Sequence, residues 1–268
     1  MNELFKIQNL NKFYGRGSHK KYALSKISLD LPSNTSIGIV GESGSGKSTL
    51  ARCLLGLIKP DSGSIYYKGD DITKFDRKDF RNFRQEVQMV FQDPYSSLNP
   101  RMRIGQIVSE GIQVFHLANN KEELFNKTKS VLNQVGIDDE MFDRYPRQFS
   151  GGQRQRISIA RALAVSPRVL ICDEPVSSLD VSIQAQILNL LRECSQKLSL
   201  STIFISHDLG VIRYIADFIV VMQKGQIIEF GLSKNIFANP QSSYTKSLLQ
   251  SVPIPDPQVQ RERFSTLE

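Results

Sequence analysis

Cysteine is scarce in this chain, with three among 268 residues: Cys53, Cys172 and Cys194. Their odd number and scattered spacing exclude a disulfide framework and match no metal-ligand pattern, so they read as reduced thiols of a cytosolic protein. The start, MNELFKIQNLNKFYG, has no apolar core of a signal peptide. No apolar run approaches the ~18 residues needed to cross a bilayer. The chain also lacks an internal repeat, a long heptad-bearing stretch and an arginine-rich tail.

What is present fits a globular α/β protein. Apolar residues make up 40% and charged residues 23%, enough for a sizeable core. The net charge of +7 suits nucleic acid, an anionic membrane face or a phosphate-rich ligand, and by itself selects none of them. The excess is spread along the chain, densest early at His19-Lys20-Lys21. The runs SIGIV, RVLIC, STIFIS and FIVVM are short and β-branched, as in strands buried on both faces. FKIQNLNKFY and ALSKISLDL alternate instead, like half-exposed strands, with the basic GRGSHKK as a loop between them. SIYYKGDDI reads as a short strand and turn, and QEVQMVFQ as a further strand that DPYSSLNP closes by ending any regular element.

From Gly105 to Val135 the apolar spacing turns helical. Strand RVLICDE, helix VSIQAQILNLLREC, strand STIFISH and helix LGVIRYIAD then alternate, and FIVVMQKGQIIEFG forms a strand pair turning at Lys224-Gly225. This order predicts a mostly parallel sheet with a helical insertion between about residues 93 and 150. From Ser233 a short helix and the proline-rich SVPIPDP lead into a charged tail.

Two stretches have the chemistry of phosphate cradles. GESGSGKS, residues 41–48, has the P-loop spacing G-x-x-x-x-G-K-[ST], with a β-branched strand before it and a leucine-rich helix after it. Glycines let backbone N–H groups turn inward around phosphate; Lys47 would reach the β- and γ-phosphates, and the Ser48 hydroxyl would hold Mg²⁺. RVLICDEP supplies Asp173 at a strand's carboxyl end as a second Mg²⁺ ligand, and Glu174 one residue on to orient or deprotonate water. The second cradle is QFSGGQRQRISIARAL. Ser150 is a good N-cap, Ser-x-x-Gln has capping-box spacing, and the glycines leave the first helical N–H groups accessible. Alone it would be a capped helix with no ligand; beside the P-loop and the acid pair it is a second anion site. Arg154 and Arg156 on that helix read either as phosphate-steering charges or, the favoured reading, as a solvated face.

With these motifs the chain resembles the ATP-binding-cassette family. Phe149-Ser150-Gly151-Gly152-Gln153 corresponds to the family signature, with Phe where the usual form has Leu. The resemblance covers about residues 3 to 232 and implies the P-loop NTPase cassette fold: an α/β class with a mostly parallel sheet core, an antiparallel β part and a helical subdomain. It implies a cassette over 1–232, with a RecA-like core at about 1–92 and 151–232, a helical signature subdomain at about 93–150, and a C-terminal extension over 233–268. ATP and Mg²⁺ are the implied ligands. Nucleotide contacts would come from Tyr14, Gly41, Glu42, Ser43, Gly44, Ser45, Gly46, Lys47, Ser48 and Thr49. The partner's nucleotide would be met by Ser150, Gly151, Gly152, Gln153 and the D-loop Asp180.

By the same resemblance Gln92 is the Q-loop glutamine, touching Mg²⁺ and water; Ser48, Gln92 and Asp173 are the metal set; and His207 is the switch histidine. Catalysis would rest on Glu174, His207, Gln92 and Lys47. Tyr14 resembles the adenine-stacking aromatic, with Tyr22 as its rival. Two cassettes would sandwich two nucleotides head to tail, which explains two half-sites on one chain.

VQMVFQDPYSSLNPRMRIGQIV and NPQSSYTKSLLQSVPIPDP are similar to the second ATPase of oligopeptide, dipeptide and nickel importers. That implies an ATPase at the cytoplasmic face of a bacterial cell membrane, peripheral to it. The implied partners are two multi-pass permease subunits, a second ABC ATPase and an external solute-binding receptor, with no specific nucleic acid. An unlike ATPase pair is favoured, and a homodimer is allowed. No cysteine follows Cys194, so no iron–sulfur cluster is expected in the tail. The competing class is a soluble cassette ATPase acting on DNA or ribosomes.

Overall fold

A computed structural model describes residues 3–15 and 20–250. SVPIPDP and the charged tail lie outside the described residues, as does most of GRGSHKK, including His19.

The strands are β1 (Glu3–Tyr14), β2 (Lys21–Pro32), β3 (Ser36–Val40), β4 (Ser62–Tyr67), β5 (Asp70–Asp71), β6 (Val87–Val90), β7 (Val169–Asp173), β8 (Ser201–Ile205), β9 (Phe218–Gln223) and β10 (Gln226–Leu232). The helices are α1 (Lys47–Leu54), α2 (Arg77–Glu86), α3 (Pro94–Ser97), α4 (Ile104–Val114), α5 (Lys121–Gln134), α6 (Gly151–Leu163), α7 (Val181–Leu198), α8 (Leu209–Ile215), α9 (Ser233–Ala238) and α10 (Ser243–Gln250). Six strands form one sheet in the order β10-β9-β3-β8-β7-β6; a second, antiparallel sheet has the order β2-β1-β4-β5. In the larger sheet β9, β3, β8, β7 and β6 run parallel, and only β10 is antiparallel, joined to β9.

Period-two alternation explains why those five strands read as continuous apolar runs. Ile37, Ile39, Val169, Ile171, Ile203, Ile205, Val220 and Met222 point into one core, shared with α1 and the antiparallel sheet. Val40, Leu170, Cys172, Phe204, Ile219 and Val221 point into the other, shared with the helices. Both faces are covered, so successive positions in the middle of these strands are apolar on either side, with polar residues such as Ser36, Ser201 and Asp173 confined mostly to strand ends. All three cysteines are free and buried in these cores. Burial pushes the Cys53 thiol up to about 11 and Cys172 further still, which suits packing and not reactivity.

Three sequence expectations need correction, and one helix lies in a stretch to which the sequence reading assigns no element. That helix is α2; its turns are charged, and Asp76 starts it with a capping box to Asp79. Phe80 and Phe83, three apart, meet Phe75 and each other edge to face and fasten it. DPYSSLNP does not end all regular structure: Asp93 caps Tyr95 and Ser96, and Pro94 takes the first helical position of α3. Arg154 and Arg156 are not a solvated face. Arg154 Nε donates to the Phe149 carbonyl at 2.9 Å and its guanidinium lies over the Tyr95 ring; Arg156 donates to the Val135 carbonyl at 2.8 Å. Finally, the segment from Ser233 holds two helices, α9 and α10.

Candidate functional site

The parallel strands end together at one edge of the sheet, and the sequence puts a polar residue just beyond each. The glycine loop follows β3, Gln92 follows β6, Glu174 follows β7 and His207 follows β8. The carboxyl edge of a parallel sheet is where α/β folds bind ligands. Here a cleft of about 710 Å³ is lined by Ser43, Gly44, Gly46, Lys47, Ser48, Thr49, Gln92, Glu174 and His207, with Tyr14, Lys21, Tyr22 and Ala23 on its far wall.

The loop's shape is fixed by its own backbone and by its neighbours. Gly46 has φ +107, and a Cβ on it would lie 2.4 Å from the Ala23 carbonyl oxygen, so only glycine fits. It is the N-cap of α1, whose first residues Lys47, Ser48 and Thr49 line the cleft. Lys47 is buried, and its ammonium donates to the carbonyls of Gly41 at 2.7 Å and Glu42 at 2.8 Å. Burial lowers its pKa, while Glu174, Asp173 and Glu42 oppose the shift.

Asp173 is buried at the end of β7 and accepts a hydrogen bond from the Ser48 hydroxyl at 3.1 Å. Burial raises its pKa, the Ser48 bond counteracts this, and the charge of Glu174 adds to it. Hydroxyl and carboxylate oxygens side by side fit Mg²⁺, a hard cation commonly held by one or two protein groups plus substrate phosphates. Among the described residues no cluster of three or more His, Cys, Asp or Glu side chains could cage a metal by itself.

Glu174 is the centre of the edge. Gln92 Nε2 donates to its Oε2 at 3.0 Å, and His207 Nδ1 lies 3.1 Å from its Oε1. Ser177 adds to the cluster, 3.5 Å from Gln92 Nε2 and donating to the Glu174 carbonyl at 3.1 Å. The backbone of Glu174 sits at φ +47, in the left-handed region, a strain of order 1–2 kcal/mol for a residue with a side chain. Its N–H donates to the Ile205 carbonyl at 2.9 Å, which holds the strained turn in place. A carboxylate fixed at both oxygens above a phosphate-shaped loop can orient water for attack on phosphorus.

A family model described as ABC transporter matches residues 24–177, more than half of the chain. The chain belongs to the ABC transporter family. It is 42% identical over 259 residues to the oligopeptide transport ATP-binding protein OppF of Salmonella typhimurium, covering 97% of this chain and 78% of that one. To OppF of Streptococcus mutans it is 44% identical, covering 98% and 85%. Among solved structures, cbiO1 of Clostridium perfringens, part of a transporter complex, superposes with a TM-score of 0.81 at 29% identity, covering 98% of this chain and 99% of that one. An ATP-binding cassette solved as a dimer after hydrolysis, bound to ADP and Pi, superposes at 0.78 with 27% identity, covering 85% and 98%. This cassette is thus an ATPase of the ABC type, and its fold is the P-loop NTPase cassette.

The signature residues stand apart from the cleft. None of Ser150, Gly151, Gly152, Gln153 and Asp180 lines it. Ser150 caps α6: its Oγ accepts from the Gln153 N–H at 3.3 Å, and Gln153 Oε1 accepts from the Ser150 N–H at 3.0 Å. Gly152 is packed against Ile183 of α7, and Gly151 neighbours Leu179 in the SSLD loop. Asp180 is exposed at the N-cap position of α7 and makes no side-chain cap. Tyr14 and Tyr22 sit at the paired ends of β1 and β2, and both line the cleft, so either ring can face a base. Sequence reading missed Tyr244 of α10, whose hydroxyl accepts from the Glu42 N–H at 3.2 Å. Its only signal was a tyrosine in a tail without a P-loop-like pattern.

Proposed function

We propose that this cassette is the ATP-hydrolysing subunit of a peptide importer, working as one of two ATPases beneath two multi-pass membrane subunits fed by an external solute-binding receptor. The observation that carries this reading is the reach of the similarity to the OppF proteins. It runs over 97% of the chain, well beyond residues 24–177 that the general family model matches. Among the described residues no helix is long and apolar enough to cross a membrane, which fits a subunit peripheral to it, at the cytoplasmic face.

The working division is a cassette over 1–232 with a helical subdomain at about 93–150 that faces the membrane partners, and an extension over 233–268. The reaction is phosphoryl transfer to water. The water oxygen forms a bond to the γ-phosphorus, the bond from that phosphorus to the ADP oxygen breaks, and the water proton passes toward Glu174. Gln92 and His207 orient the carboxylate, Lys47 and the loop N–H groups hold phosphate oxygens, and Tyr14 or Tyr22 stacks on adenine. Ser48 and Asp173, with Gln92 beside them, would hold Mg²⁺, which neutralises phosphate charge when bound. Ser150, Gly151, Gly152, Gln153 and Asp180 serve the nucleotide of the partner ATPase, so ATP that binds only the closed pair stabilises it.

Co-purification tests the assignment. The chain is tagged at native level, membranes are solubilised gently with nuclease present, and the bound proteins are identified. Two multi-pass proteins with a second cassette ATPase are the expected result. Recovery with ribosomes or DNA-repair proteins, and none from membranes, would refute it.

A further inference from the structure

The peptide group joining Gly41 to Glu42 is gripped from two sides. On the inner side Lys47 donates to its carbonyl at 2.7 Å. On the outer side its N–H donates to the hydroxyl of Tyr244, at 3.2 Å and 202 positions along the chain. The hydroxyl is placed by elements outside the loop. Glu229 of β10 accepts from the N–H groups of Gln241 at 2.9 Å and Ser242 at 3.2 Å, and the Tyr244 N–H donates to Ser242 Oγ at 3.2 Å. Tyr244 packs against the helix-side core of the sheet.

The same loop end is braced elsewhere. Gly41 has φ +148, with a notional Cβ 2.1 Å from the Met222 carbonyl oxygen, and the Gly225 N–H donates to the Ser45 carbonyl at 2.9 Å. Of these braces, the one at Glu42 alone comes from the C-terminal helices.

We propose that Tyr244 is a positioning residue for ATP binding, fixing the Gly41–Glu42 peptide so that both carbonyls face Lys47 and the cradle stays open to phosphate. Tyr244 lines no part of the cleft and acts through the Glu42 peptide. The inference rests on the reading of residues 41–48 as the nucleotide loop. Without the hydroxyl, the loop is competent for only a fraction of the time, and the apparent affinity falls by that fraction. One lost hydrogen bond of ordinary strength corresponds to roughly a fivefold loss. Tyr244→Phe removes the hydroxyl alone and keeps the ring in its packing.

The test uses the full chain. Dissociation constants for Mg-ATP come from displacement of a fluorescent ATP analogue, alongside KM, kcat and the melting midpoint. Tyr244→Phe is expected to raise Kd and KM by about threefold to tenfold with kcat within about twofold of wild type. A merely structural role would lower the melting midpoint and leave Kd of the folded protein where it was. Kd within about twofold of wild type for Tyr244→Phe overturns the proposal, whatever the melting midpoint does. Wild-type protein that showed no saturable ATP binding would overturn the nucleotide reading and this inference with it; wild-type binding with an unchanged Tyr244→Phe overturns the inference alone.

Discussion

The P-loop and the signature loop of this cassette are built in opposite ways. The P-loop is wired into the rest of the chain: Lys47 holds two loop carbonyls, Ser48 meets Asp173, and Gly225 and Tyr244 brace the backbone from outside. The signature loop makes its hydrogen bonds locally, Ser150 and Gln153 exchanging two at the helix start and Arg154 holding the Phe149 carbonyl, while Gly152 packs on Ile183 of α7. The P-loop lines a cleft within its own chain, while the signature residues line no part of that cleft and, in the proposed function, serve a partner's nucleotide. That asymmetry is what an ATPase needs if hydrolysis is to depend on two chains meeting.

The largest break in the comparison should come at Glu174, which belongs to the P-loop half alone. Glu174→Gln keeps the shape of the side chain but cannot take a proton. Turnover is expected to fall by roughly 10²–10⁴-fold with ATP binding retained, measured by phosphate release beside nucleotide binding. Near-wild-type hydrolysis would remove Glu174 from its assigned role.

Next come the glycines. Gly46→Ala puts a Cβ 2.4 Å from the Ala23 carbonyl oxygen at φ +107, and about 1–3 kcal/mol of destabilisation is expected in chemical denaturation. Gly151→Ala meets only Leu179 Cδ2 at 3.4 Å, at the first position of a helix, where alanine is the better helix former. It should be neutral or stabilise by up to ~1 kcal/mol. Equal losses at the two positions would erase the contrast.

A smaller effect sharpens the price of the wired site. Asp173 has a raised pKa because it is buried, so the folded chain holds its proton more tightly than the unfolded chain does. Its contribution to stability is favourable at low pH and is lost as pH rises through the folded value. Asp173→Asn should therefore raise the nucleotide-free melting midpoint at neutral pH, by roughly 2–4 °C if ~1 kcal/mol is relieved. The gap should close on acidification below the ordinary carboxylate range. A gap that widened in acid would reverse the sign of the argument.

The sequence made much of this legible, for a physical reason. Strands buried on both faces read as short runs rich in β-branched residues, and residues that line the cleft come soon after them, so β3, β7 and β8 pointed to Lys47, Glu174 and His207 together. The Ser150 capping box was likewise written in four residues. Helix α2 was not legible, because its packing depends on Phe80 and Phe83 finding Phe75, within an otherwise charged stretch. The anchoring of Arg154 and Arg156 on backbone carbonyls leaves no trace in the spacing of the residues themselves. Tyr244 was hidden by distance, since 202 residues separate it from the N–H it holds. Tyr14 and Tyr22 stay equivalent because both rings reach the same cleft.

The division of labour between the cradles is tested most directly by Ser150→Arg, with two readouts on the same protein. In the isolated chain, ATP affinity of its own P-loop is measured; in the assembled ATPase pair, hydrolysis at the partner's P-loop is followed. Own-site affinity within about twofold of wild type, with turnover at the partner's site lost, is the expected result. Loss of affinity at its own P-loop, with the partner's site spared, would contradict the two-chain site.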